Sequence, residues 1–194
     1  MLQTLTPQYT LEAYRNLEET AEERHEYHDG EVVAMTGGTL EHSAISGNIY
    51  ALLKSGLKGR RFKPFNRDLR IWIPDYRRGV YPDVMVLEGK PRFHDDRRDE
   101  ILNPLLIVEV LSRSTEARDR GDKFFYYRSI PEFSEYLLVS QYQPLVDQYI
   151  KTEKNEWLLR SHTALSTNLT LETLEIELPM TEIYESVEFV NRLS

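Results

Sequence analysis

The chain has 194 residues, of which 40% are hydrophobic and 29% charged, with a net charge of −8 and no cysteine. That length supports one domain with a sizeable core, and the composition is that of an ordered globular protein rather than a disordered one. The lack of cysteine excludes disulfides, thiolate metal sites and cysteine nucleophiles.

The start Met1-Leu2-Gln3-Thr4 lacks the basic and apolar regions of a signal peptide. No apolar run approaches the roughly 20 residues needed to span a bilayer. The expectation is an unanchored, cytoplasmic protein with no membrane partner. No repeat, low-complexity segment or Gly/Ser linker interrupts the chain, so residues 1–194 read as a single domain.

In chain order, Thr10 caps a predicted helix running to about Ala21, with Leu11, Tyr14 and Leu17 at helical spacing. Residues 25–35 contain Asp29-Gly30 between two strand-like pieces, a type I′ hairpin signal. Gly37-Gly38 ends that hairpin. A second helix is expected over 40–55, with Ala44, Ile45, Ile49, Leu52 and Leu53 as its apolar stripe and Gly47 allowing close packing on a sheet. Strands are expected at 62–65 and 69–73, then at 81–87. A polar loop over 89–103 and a strand over 105–111 follow.

A helix then begins at Ser112 or Ser114 and reaches about Ser129, before Pro131. A strand at 134–140, a hairpin at 145–150 and 156–160, a strand at 175–178 and a closing helix capped by Thr181 complete the chain. This order describes an α/β or α+β fold: a mixed sheet flanked by helices, with added meander strands.

Asp83 and Glu109 are the chemically informative residues. Each lies within a short, β-branched apolar run, Tyr81-Pro82-Asp83-Val84-Met85-Val86-Leu87 and Leu105-Leu106-Ile107-Val108-Glu109-Val110-Leu111. A carboxylate in a buried strand is costly to desolvate without a cation or hydrogen bonds. Two on neighbouring strands repel each other, and a divalent metal ion relieves both costs.

Asp119 and Lys123 are four apart on the following helix, hence on one face. One reading is an exposed ion pair contributing roughly 0.3–0.5 kcal/mol. The other brings Lys123 to the sheet edge, toward the two carboxylates. Residues 54–78 hold nine basic and two acidic residues. This stretch either tracks phosphates or forms a solvated face with ordinary ion pairs. Trp72 and Trp157 read as packing residues, and Phe124 to Tyr127 as core plus helix surface rather than a base-stacking platform.

The element order around Asp83 and Glu109 resembles the PD-(D/E)XK nuclease superfamily. Asp29-Gly30-Glu31, Glu41-His42-Ser43, Pro82-Asp83-Val84, the string from Val108 to Thr115, Asp119 with Lys123 and Tyr127, and the run Glu135 to Val139 match in order. Together they resemble its Uma-type, restriction-endonuclease-like branch over roughly residues 10–160. The resemblance implies a restriction-endonuclease-like core and metal-dependent hydrolysis of DNA phosphodiesters. It implies Mg²⁺, or Mn²⁺, held by Asp83, Glu109 and the Val110 carbonyl, polarising a phosphoryl oxygen and activating a water.

The superfamily's lysine usually lies two residues after the Glu, where this chain has Leu111; the resemblance makes Lys123 its replacement. Glu31 and His42 are further candidate site residues. Glu31 otherwise reads as the polar first residue of a strand, and His42 as a surface or capping-region residue. A homodimer is expected, since nucleases that cut duplexes often pair their sites. Two other readings stay open. One is a catalytically degenerate nuclease fold that binds nucleic acid or protein. The other is a metal-free protein using these acids in buried ion pairs, with Arg70 and Lys123 as partners.

Overall fold

The computed structural model describes residues 8–35 and 37–189, so the reading of residues 1–4 lies outside it. Helix α1 (Leu11–Thr20) begins where Thr10 accepts a hydrogen bond from the Ala13 amide, as its sequence predicts. The hairpin of β1 (His25–His28) and β2 (Glu31–Ala34) turns at Asp29 and Gly30, both at positive φ (47° and 103°), as a type I′ turn requires. Helix α2 (Leu40–Gly56) is capped by Thr39, which accepts from the His42 amide at 3.2 Å. Strands β3 (Phe62–Asn66), β4 (Arg70–Ile73), β5 (Arg78–Val80), β6 (Val84–Glu88), β7 (Glu100–Ile101) and β8 (Pro104–Leu111) come next.

After β8 come α3 (Glu116–Arg118), a π-helical turn (Asp119–Lys123) and α4 (Phe124–Tyr127). The chain continues through β9 (Glu135–Ser140), β10 (Val146–Lys151), β11 (Trp157–His162), β12 (Asn168–Leu171), β13 (Ile176–Pro179) and α5 (Met180–Ile183). The six-stranded sheet has the order β11-β10-β9-β8-β6-β3. In it β8 and β9 are parallel and the other pairs antiparallel. A smaller sheet has the order β2-β1-β5-β4-β7, and β12 and β13 form a separate hairpin.

Strand alternation divides the large sheet into two packed faces. Val84, Val86, Val108 and Val110 face a core completed by Ile45, Ile49 and Leu53 of α2 and by the C-terminal hairpin. Met85, Ile107 and Leu111 face a second core with Tyr127, Phe133 and Tyr136. Phe124 stacks on Tyr136 at 5.5 Å while Phe125 is half exposed, which is the core-plus-surface division expected of that run. Trp72 is buried between Tyr27 and the His94 ring, and Trp157 packs on the second core.

Five expectations need correction. Asp83 precedes β6 instead of lying within it; Pro82 has no amide to donate, and the ladder starts at Val84 opposite Val108. The 89–103 segment is not all loop, because Glu100 and Ile101 form a parallel ladder with Arg70 and Ile71. The single helix expected from Ser112 or Ser114 begins only at Glu116 and contains a π-helical turn. Thr181 caps nothing, since α5 already starts at Met180 after Pro179, and β12 was not foreseen. Gly47 is exposed, with open space where a Cβ would lie, so it mediates no close packing.

Candidate active site

The period-two pleat sends Glu109 to the same side of β8 as Ile107 and Leu111, facing the helices that come after the strand. There the π-helical turn brings Lys123 Nζ to 3.0 Å from Glu109 Oε1. The Tyr127 hydroxyl donates to the same oxygen at 2.8 Å. A π turn adds a residue to one helical turn and rotates the residues beyond it, and such turns recur at functional sites. Lys123 also lies 3.3 Å from Asp119 Oδ1 and 3.6 Å from Glu26 Oε1. The Asp119–Lys123 pair is therefore buried, not the exposed helical pair that spacing alone allowed.

Asp83 lines one cleft with this group. Its Oδ2 accepts the Val110 amide at 2.7 Å and lies 3.2 Å from His42 Nε2. His42 is thus at the site, placed there by the first turn of α2, and is not merely a capping-region residue. Val110 lines the same cleft, which has a volume of about 380 Å³. Glu31 is not part of it. It occupies the exposed tip of the β1–β2 hairpin, opposite His28 in register, because the type I′ turn falls just before it.

Glu26, one strand earlier, takes the place anticipated for Glu31. It is buried and paired with Arg118 and Lys123. Alternation puts Glu26 and His28 on one face of β1, and both meet Arg118. That shared face was legible in the sequence, but its direction was not. Sequence reasoning also gave no role to Gln141. Its amide donates to the Leu111 carbonyl at 2.8 Å while its oxygen accepts from Thr39 at 2.5 Å.

The electrostatics are those of a carboxylate excess. Glu26, Asp83, Glu109 and Asp119 are buried at the cleft, and of the cations that line it Lys123 is buried while Arg67, Arg113 and Arg118 are more exposed. Burial, reinforced by the charges on Asp119 and Asp83 and opposed by Lys123, pushes the Glu109 carboxyl well above the usual carboxylate range. Burial also works against the Lys123 ammonium. Glu109, then Glu26 and Asp119, outweigh it and hold the group charged, well above the usual lysine range. Glu26 is likewise penalised by burial, but Lys123, His28 and Arg118 more than compensate and keep it ionised.

Asp119 Oδ1 is buried and makes no hydrogen bond of good geometry, its contact with the Lys123 ammonium at 3.3 Å being an ion pair alone. Four buried carboxylates gathered around one buried ammonium suit a divalent cation. Among the described residues, no group of three or more His, Asp or Glu side chains is arranged to hold one alone. The fit is to a hard cation that takes one or two carboxylates and retains waters, as Mg²⁺ does.

The basic stretch 54–78 is partly spent in ion pairs elsewhere. Arg70 is buried against Glu100 and Asp99, Arg77 pairs with Asp29 and Arg61 with Glu88. Of the nine basic residues only Arg67 lines the cleft. Among the described residues no helix is long and apolar enough to cross a membrane.

A mixed sheet with acids at the ends of two adjacent strands, and a lysine brought to them from the next helix, defines a restriction-endonuclease-like protein. A solved structure described as a putative nuclease belonging to DUF820, from Anabaena variabilis, shares this fold with a TM-score of 0.72. It has 17% identity and covers 91% of this chain and 97% of its own. Two uncharacterized proteins of Synechocystis are 36% and 38% identical. Each aligns with 94% of this chain and with 99% and 95% of its own length, respectively. The family model Uma2, described as "Putative restriction endonuclease", matches residues 11–181, and the chain belongs to that family.

Proposed function

We propose that the protein is a metal-dependent endonuclease that hydrolyses DNA phosphodiesters at the Asp83–Glu109–Lys123 cleft. The observation that carries this reading is the position of Lys123 Nζ, 3.0 Å from Glu109, in a cleft shared with Asp83. Asp83 and Glu109 are the residues that would hold Mg²⁺ or Mn²⁺, with Val110 beside them. Bound there, the cation would supply Lewis-acid polarisation of the phosphate and a more acidic water.

The chain's own residues do the rest. The Val110 amide and His42 fix the Asp83 carboxylate, and Tyr127 fixes Glu109. Lys123 neutralises charge that develops on the phosphate as the water oxygen bonds to phosphorus. One ester P–O bond breaks, the departing oxygen takes a proton, and a phosphate monoester and a hydroxyl result. Asp119 and Glu26 keep Lys123 charged and aimed inward.

A homodimer forms part of the reading. Strand β11 pairs only with β10 among the described strands and exposes Leu158 and Leu159. Such an edge is a template for pairing with a second copy. Sedimentation velocity tests this, and a monomer at high concentration removes it. The catalytic reading is tested by nicking of supercoiled plasmid with Mn²⁺ or Mg²⁺, wild type against Lys123→Ala. Nicking confined to wild type with metal supports it; equal nicking by both proteins removes Lys123 from the mechanism.

A further inference from the structure

Resting on the nuclease reading, we infer that the substrate presented to this cleft is a single-stranded or locally unpaired stretch of DNA, not regular duplex. The acids and their lysine are recessed: Asp83 is 8% exposed, Glu109 4% and Lys123 8%. They are reached through a cleft of about 380 Å³. Gly38, Thr39 and His42, the Ser112–Thr115 turn and Tyr142 are among the residues that line it. A duplex is a stiff convex rod that must bend or melt to bring a phosphate into such a recess. A single strand bends freely and can thread one backbone segment into it.

The rim is built for that ligand. The Arg113 amide donates to the Tyr142 hydroxyl at 3.0 Å, and the Arg113 guanidinium lies over the Tyr142 ring at 5.6 Å from its centroid. This holds an aromatic ring that is 44% exposed beside the cleft mouth. An aromatic next to an arginine at an acid-lined cleft offers one base a stacking surface and its phosphate a counter-charge. Arg67 lies at the same cleft, and among the described residues neither Arg67 nor Arg113 is ion-paired with a carboxylate. A duplex footprint draws on many phosphate contacts. Here the other eight basic residues of the 54–78 stretch do not line the cleft, and Arg60, Arg61, Arg70 and Arg77 are ion-paired. Lys54 and Lys58 lie at and just past the last turn of α2, about 20 Å along the helix from His42.

The test uses the full chain with Mn²⁺ and three labelled substrates of one sequence: a single strand, its perfect linear duplex, and a duplex with a central unpaired bubble. The expected result is cleavage of the single strand and the bubble at least about tenfold faster than the duplex. Linear duplex cut as fast as the single strand overturns the inference and leaves the nuclease reading standing. No cleavage of any substrate by folded protein overturns both. Single-strand binding, read by fluorescence anisotropy in Ca²⁺, should weaken about tenfold in Tyr142→Ala and be retained in Tyr142→Phe, which keeps the ring. Binding unchanged in Tyr142→Ala overturns the stacking site.

Discussion

Lys123 Nζ reaches Glu109 Oε1 at 3.0 Å from a helix, although the strand position two residues after Glu109 is filled by Leu111. Leu111 is 2% exposed and packs in the second core, so a lysine there would displace apolar contacts. The π-helical turn at Asp119–Lys123 supplies the cation instead.

Replacing Lys123 by Met should therefore destabilise the metal-free protein by about 3–5 kcal/mol, because Glu26, Glu109 and Asp119 lose their shared counter-ion while staying buried. A cation that binds only the folded state adds stability as its concentration rises. Mn²⁺ should thus raise the thermal midpoint of Lys123→Met by more than that of wild type. A midpoint that is the same for both proteins without metal would show that this buried ion pair contributes nothing net.

Asp83→Asn should leave the fold nearly intact and remove metal binding. The asparagine side chain has the same shape and still offers an oxygen to the Val110 amide. It loses only the negative charge, on which a hard divalent cation depends. Calorimetric titration with Mn²⁺ should give a binding heat for wild type and none for the variant. An unchanged isotherm rules out Asp83 as a ligand.

Much of this site could be read from the sequence, and the part that could not has a physical cause. The apolar frames around Asp83 and Glu109 implied buried strands, and β6 and β8 are hydrogen-bonded neighbours. Asp119 and Lys123 share a helix face as i,i+4 spacing requires. His42 was a candidate through the family resemblance, while its own local pattern placed it only near the start of a helix. Its contact with Asp83 depends on how α2 crosses the sheet, which no local pattern encodes. Glu26 was missed for a similar reason. Alternation gave its face but not that the hairpin folds over the helix carrying Lys123. The short ladder of β4 with β7 is set by the burial of Arg70 between Asp99 and Glu100, a long-range ion network in a segment whose polarity reads as loop.

That network predicts an acid-sensitive domain. Glu100 is fully buried and accepts from Arg15 and Arg70. Burial disfavours its charge, but the Arg15 and His94 hydrogen bonds and the Arg70 charge outweigh it and lower its pKa. A lowered carboxyl contributes stability above its unfolded value of about 4.3 and loses it as pH falls through the folded value. Wild type should accordingly lose stability in urea melts as pH drops below about 4. Glu100→Gln should be about 3–5 kcal/mol less stable at neutral pH, with a flatter profile below pH 4. A variant with the wild-type acid slope would place the sensitivity elsewhere.

Gln141 couples the strand carrying Glu109 to the helix carrying His42. One end of its buried amide satisfies the Leu111 carbonyl, and the other accepts from Thr39, the residue that caps α2 through the His42 amide. Gln141→Leu removes both bonds and leaves a buried carbonyl without its donor, at an expected cost of about 1–3 kcal/mol. Because the first turn of α2 holds His42 against Asp83, the variant should also bind Mn²⁺ more weakly than wild type at temperatures where both are folded. Stability lost with metal affinity unchanged would confine Gln141 to packing. Loss of both, with Gln141→Glu restoring neither, would tie it to the placement of α2, since a carboxylate cannot donate to the Leu111 carbonyl.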